Sequence, residues 1–259
     1  MQSQCGECGK IRFKFLYLTF MHILALDTST EYLSLALKLG ETILRYDELA
    51  GQSHSQKILP QIRALLDEAN IELTDLDGIA FGAGPGSFTG VRIACGVSQG
   101  LAFGANLPVV GVNTLLVLAE FSLKESAASK VIACLDARMG EIYHAAFEKC
   151  DGVWQETSAS GLFKPYDAPL VTGDDWVGAG SGWLTYGEQL GAIYESQLKA
   201  SLPSALPTAS SILTIATPLF EAGLGQVAHE ATPIYIRNKV ALKTAERALL
   251  VKTNGQPRK

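Results

Sequence analysis

The chain has 259 residues, 47% of them hydrophobic and 18% charged, enough for a sizeable core without disulfide or metal staples. Its net charge of −5 argues against gripping nucleic acid by its own surface, because backbone phosphates demand a surplus of Lys and Arg. Any work on RNA therefore calls for a basic partner. Five cysteines, an odd number, fit free thiols in a reducing compartment.

Residues 1–20 imitate two things. Cys5 and Cys8 have zinc-knuckle spacing, but no second Cys/His pair completes four ligands. Lys10, Arg12 and Lys14 precede an apolar run like a signal peptide, yet no small-residue cleavage site follows. The run is too short to span a bilayer and leads straight into Asp27. We read 1–20 as a leader outside the fold, Met21 as the natural start, and the protein as cytoplasmic with no membrane association.

From Met21 the pattern predicts three strands, 22–27, 32–38 and 42–48, joined by short turns. Ile58, Ile62, Leu65, Leu66 and Ala69 recur at helical spacing, with Pro60 either in the first turn or kinking the helix. A strand over 76–82, a helix over 91–103, a strand over 107–112 and a helix over 114–121 follow. Residues 123–130 are small and polar, suited to a junction. Two more strands fill 131–148. Their sequence, IACLDARMGEIYHAAF, echoes ILALDTSTEYLSLAL of the first half, with Asp136 in the place of Asp27. This predicts two α/β lobes with a cleft between them. Beyond Asp151 we predict a strand near Pro169–Thr172, a Gly-rich loop at Gly178–Gly182, then a helix. A second helix spans 207–222, capped by Thr208 or Ser210, before a short extended segment, 232–238.

The Gly-rich loop of Gly84, Pro85, Gly86, Ser87, Thr89 and Gly90 looks like a phosphate cradle. Free amides at a helix start attract anions. However, GxxxxGK[ST] needs a lysine that is missing, and Ser87 stands where GxGxxG needs its third glycine. A G-x-S-x-G elbow is also missing, and the four histidines have no metal-ligand pairing. Asp27 and Asp136, with Arg138, are the cleft candidates, as paired carboxylates, magnesium ligands or caps of their own turns. The helix after the loop carries Gly96, Gly100 and Gly104 at four-residue intervals, with Arg92 its only charge. Interior glycines weaken a helix, so three in register imply close approach by another element. That element is either a partner chain or a helix of the same chain.

The stretches LALDTST, GPGSFTGVRI, GLAFGANLPVVGVNTL, DARMGEIY and PIYIRN, in this order, resemble the TsaB (YeaZ) family from Met21 to about Asn238. Residues 150–207 match most loosely. The resemblance implies a two-lobed actin, sugar kinase and Hsp70 (ASKHA) fold, divided here into lobes 21–123 and 124–238 with a tail at 239–259. It implies a non-catalytic subunit of the machinery that makes threonylcarbamoyladenosine in tRNA. Its partners would be the catalytic paralogue TsaD and the ATPase TsaE, with a homodimer of the free chain left open. ATP or ADP and metal would be bound by or shared with those partners, and tRNA met only through the complex. TsaD carries a His-x-x-x-His metal pair where this chain has Thr114 and Leu118. The expected partner interface is Arg92, Gly96, Gly100 and Gly104, with Ile58 and Ile62. The alternatives are a small-molecule kinase using Asp27 and Asp136, and a peptidase, for which no nucleophile–base pair stands out.

Overall fold

A computed structural model describes residues 21–237, which form two five-stranded sheets. The first has the order β3-β2-β1-β4-β5, from β1 (His22–Asp27), β2 (Tyr32–Leu39), β3 (Thr42–Leu49), β4 (Gly78–Gly84) and β5 (Val109–Asn113). The second has the order β8-β7-β6-β9-β10, from β6 (Lys130–Arg138), β7 (Glu141–Cys150), β8 (Val153–Phe163), β9 (Trp176–Ala179) and β10 (Leu198–Leu202). In each, three strands form an antiparallel meander and two more join in parallel. Helix α2 (Phe88–Ala105) links β4 to β5 just as α4 (Ser181–Tyr194) links β9 to β10. The strand order thus repeats, and the duplication read from the sequence is present in the fold.

Alternation along each central strand decides the layers. Leu24 and Leu26 of β1 face α1 (His54–Ala69) and α2, whereas Ile23 and Ala25 face α5 (Ala209–Glu221). Val131, Ala133 and Leu135 of β6 face α3 (Thr114–Ser126), and Ile132 and Cys134 face α4. Helices α3 and α5 therefore lie between the two sheets. A single cut at 123/124 does not divide the lobes as we expected. Leu115, Leu118 and Ala119 of α3 pack against the second sheet, while α5, late in the chain, returns to the first.

Helix α1 begins earlier than its apolar spacing indicated, at His54, and Pro60 lies exposed in its second turn. Strands β8 and β10 were not anticipated, and β9, at Trp176–Ala179, replaces the strand predicted near 169–172. Thr208 caps α5, accepting the Ser211 N–H. Among the described residues no helix is long and apolar enough to cross a membrane. The readings made for 1–20 and 239–259 fall outside the described residues.

Candidate docking face and inter-lobe cleft

The Gly-rich loop sits on the turn that ends β1. The Ser87 N–H donates to the Ser29 carbonyl (2.7 Å), and the Thr28 hydroxyl donates to the Gly90 carbonyl (2.7 Å). A Cβ at Gly86 would come 2.5 Å from the Ser29 carbonyl oxygen, and one at Gly90 would overlap that of Thr28. These two positions are glycine because two stretches of backbone touch there. Ser87 caps α2 through the Gly90 N–H, Pro85 is buried behind a cis Gly84–Pro85 peptide, and Thr89 is exposed on the first turn. The loop is thus held against the turn after β1 by backbone contact.

Asp27 lies beneath this junction, fully buried. Its Oδ1 accepts the Ser29 N–H (2.9 Å) and hydroxyl (2.8 Å), while Oδ2 has no partner among the described residues. Burial outweighs those bonds and pushes the carboxyl up to about 6. Asp136 is in a different setting. It accepts the Arg138 N–H (2.8 Å), pairs with the Arg138 guanidinium (3.3 Å) and is approached by the Tyr186 hydroxyl (3.4 Å). The two carboxylates share no hydrogen-bond partner among the described residues. Arg138 instead reaches across the cleft to Glu31 (3.4 Å), joining the two hairpin turns.

Thr114 and Leu118 are both buried. Thr114 accepts the Gly84 N–H (3.1 Å) and Leu118 belongs to the core beside the second sheet. Neither side chain offers a nitrogen to a metal. A cavity of about 320 Å³ beside β5 is lined by Phe81, Gly111, Leu219, Gln226 and Ile234, among others, and among the described residues no charged side chain faces it.

Among the described residues, helix α2 has a face that nothing covers. Gly96, Gly100 and Gly104 are exposed, and a Cβ at each meets open space. Phe103 beside them is 81% exposed. Arg92 opens the same row, its guanidinium 3.7 Å over the Phe88 ring and its Nε donating to the Tyr235 hydroxyl (2.7 Å). Ile58 and Ile62 are a correction. At 1% and 3% exposed they face the core between α1 and the first sheet, so they offer nothing to a partner.

Residues 231–237 carry contacts that the sequence reading missed. The Ile234 N–H donates to the Ala83 carbonyl (2.7 Å). Arg237, 12% exposed, pairs with Glu141 (2.7 Å) and donates to the Ala137 carbonyl (3.0 Å). An arginine closing an otherwise apolar segment was the available signal. Glu31 gave none, because its partner lies more than a hundred residues away.

These features define a two-lobed protein of the actin, sugar kinase and Hsp70 type whose Gly-rich corner is seated on its own backbone. Residues 39–168 match the family model described as TsaD: tRNA N6-adenosine threonylcarbamoyltransferase. The protein named tRNA threonylcarbamoyladenosine biosynthesis protein TsaB of Escherichia coli is 38% identical over 86% of this chain and 97% of its own. The solved structure of YeaZ from Pseudomonas aeruginosa is 40% identical, with a TM-score of 0.77 over 83% of this chain and 99% of its own. A further Pseudomonas aeruginosa structure, described as similar to peptidase YeaZ, has a TM-score of 0.79 at 40% identity, over 84% and 100%. The chain belongs to the TsaB (YeaZ) family.

Proposed function

We propose that the chain is a non-catalytic docking subunit of the machinery that forms threonylcarbamoyladenosine in tRNA. It supports a catalytic paralogue, TsaD, which transfers the threonylcarbamoyl group to the adenosine beside the anticodon, with the ATPase TsaE as a further partner. Nucleotide and metal are held by those partners. The acidic balance of the chain fits contact with tRNA through the complex and not directly. The cytoplasm, where tRNA is modified, is its place of work.

The observation that carries this reading is the seating of Gly86 and Gly90 on the Thr28–Ser29 backbone. A kinase of this fold needs that corner open to phosphate, and an acid–metal pair in the cleft. Here that corner rests on the chain's own backbone, Asp27 is buried and Asp136 is engaged by Arg138. The docking surface is the row Arg92, Gly96, Gly100 and Gly104, where missing side chains let a partner helix approach closely. A second copy of the chain occupies the same face when the paralogue is absent.

Gly100→Arg tests the face. Open space at Gly100 leaves the fold intact, so circular dichroism stays near wild type and Tm does not fall. Association with the catalytic paralogue, read by analytical ultracentrifugation, is lost because the cation is buried unpaired at the contact. A folded variant that still associates removes this row from the interface.

A further inference from the structure

The first sheet carries a groove on the face turned away from α2. Side chains alternate along β3, so Leu44 and Tyr46 pack with α1 and α2 while Ile43 and Arg45 face α5. Lys38, paired with Ile43 on β2, shares that face. Lys38 and Ile43, with Leu213, Thr214, Thr217 and Pro218 of α5, line a groove of about 270 Å³. Another cation reaches it from α3. Lys124 Nζ donates to the Thr214 hydroxyl (2.6 Å) and the Ser210 carbonyl (3.3 Å). Cations outnumber acids here. Glu120 is buried and accepts from Lys149 Nζ (3.0 Å) and Trp154 Nε1 (2.8 Å), so Lys124 meets it only at 4.0 Å. Asp47, on the Arg45 face of β3, accepts the Ser34 hydroxyl. Among the described residues neither Lys38 nor Arg45 pairs with a carboxylate. Lys38 donates one N–H to the Gly40 carbonyl, which leaves two of its donors, one of Lys124 and the fork of Arg45. Burial pushes the Lys124 ammonium below its usual value, and Arg45 and Lys149 push the same way against Glu120.

We propose that this groove binds a small phosphate monoester. Its phosphate sits between Arg45 and Lys124, and its apolar body lies on Ile43, Leu213 and Pro218, with Lys38 at the other end of the groove. Charge selects the ligand. Arg45, Lys124 and Lys149 against Glu120 leave a surplus of two positive charges, which a phosphate dianion matches and a carboxylate does not. The guanidinium fork suits two phosphate oxygens, and the remaining N–H of Lys124 suits a third. In a chain of net charge −5, such a gathering of cations at a half-buried site costs free energy that a bound anion offsets. The groove lies across the sheet from the α2 row, so it stands whether or not that row docks a partner.

Calorimetric titration of the full chain with phenyl phosphate, inorganic phosphate and benzoate tests this. Phenyl phosphate should saturate one site per chain. Inorganic phosphate lacks the apolar body and benzoate the second charge, so each should bind roughly ten-fold more weakly or worse. Arg45→Gln and Lys124→Gln should each weaken phenyl phosphate roughly ten-fold, whereas Lys199→Gln, on β10 of the second lobe, should leave it unchanged. Lys124→Gln also loosens a tie to α5, so Arg45→Gln, at an exposed position, is the variant that separates binding from folding. In wild type the Lys124 ammonium, followed by NMR, should titrate at higher pH once phenyl phosphate is bound. The proposal is overturned if phenyl phosphate does not bind at millimolar concentrations, or if Lys199→Gln weakens it as much as Arg45→Gln. It also falls if inorganic phosphate or benzoate binds equally well, or if the Lys124 titration does not move.

Discussion

At the end of β4 and at the end of β9 the chain turns the same corner into a helix, and the two corners are built alike from different neighbours. Gly84 (φ 105°) and Gly180 (φ 101°) take the same left-handed position. In the first lobe the corner rests on the Thr28–Ser29 backbone; in the second it rests on Cys134, where a Cβ added at Gly180 would come 2.5 Å from the carbonyl oxygen and one added at Gly182 would come 2.7 Å from the Cβ. The glycines are thus a demand of the fold, met once over a polar turn and once over a thiol. A glycine-rich strand-to-helix corner is no evidence for a nucleotide. What differs is the buried group beneath, a carboxyl in one lobe and a thiol in the other, each raised by burial.

The largest expected effect breaks the first corner. Gly90→Ala drives a methyl into the Thr28 carbonyl, backbone against backbone, and should cost about 3 kcal/mol, a fall in Tm of about 6–12 °C by thermal melting. A Tm within a degree or two of wild type would show that the two stretches part easily. Next comes the group beneath. Asp27 is raised from 3.8 to about 6 on folding, so it binds its proton more tightly folded than unfolded. Its contribution to stability is full below about pH 4 and lost as pH rises through 6, a difference of about 3 kcal/mol. Asp27→Asn carries no charge to bury, so its Tm relative to wild type should be higher at pH 8 than at pH 4. An equal difference at both pH values would mean that the carboxyl ionises freely. The smallest effect is on the same helix as the first. Gly100→Ala meets open space within the chain and replaces a poor helix former, so at concentrations where the chain is monomeric it should add about 0.5–1 kcal/mol and raise Tm by about 1–4 °C. A loss there would place something against the row.

The first lobe was the more legible in sequence, and the reason is physical. Its central strands β1, β2 and β4 are buried runs ended by short turns, and β1 is buried from Ile23 to Asp27. The second lobe's β8 is mostly exposed from Val153 to Thr157, so it shows neither an apolar run nor clean alternation. Periodicity also tells that a helix face is buried but not what buries it. That is why α5 was placed in the wrong lobe, and why Ile58 and Ile62, core residues at helical spacing, were read as interface. The glycine row of α2 was legible because an apolar helix with three glycines contradicts helix propensity unless its face is free or closely packed. The contacts of residues 231–237 were not. Arg237 and Glu141 are brought together only by the fold of both lobes.

The central claim is that this chain supports chemistry without performing it. The most direct measurement is threonylcarbamoyl transfer to tRNA, assayed with the purified chain alone, with the catalytic paralogue and TsaE lacking it, and with all three together. The account predicts no product and no magnesium-dependent ATP turnover from the chain alone, and product that depends on adding the chain to the other two. Turnover of ATP or modification of tRNA by the chain alone would contradict it.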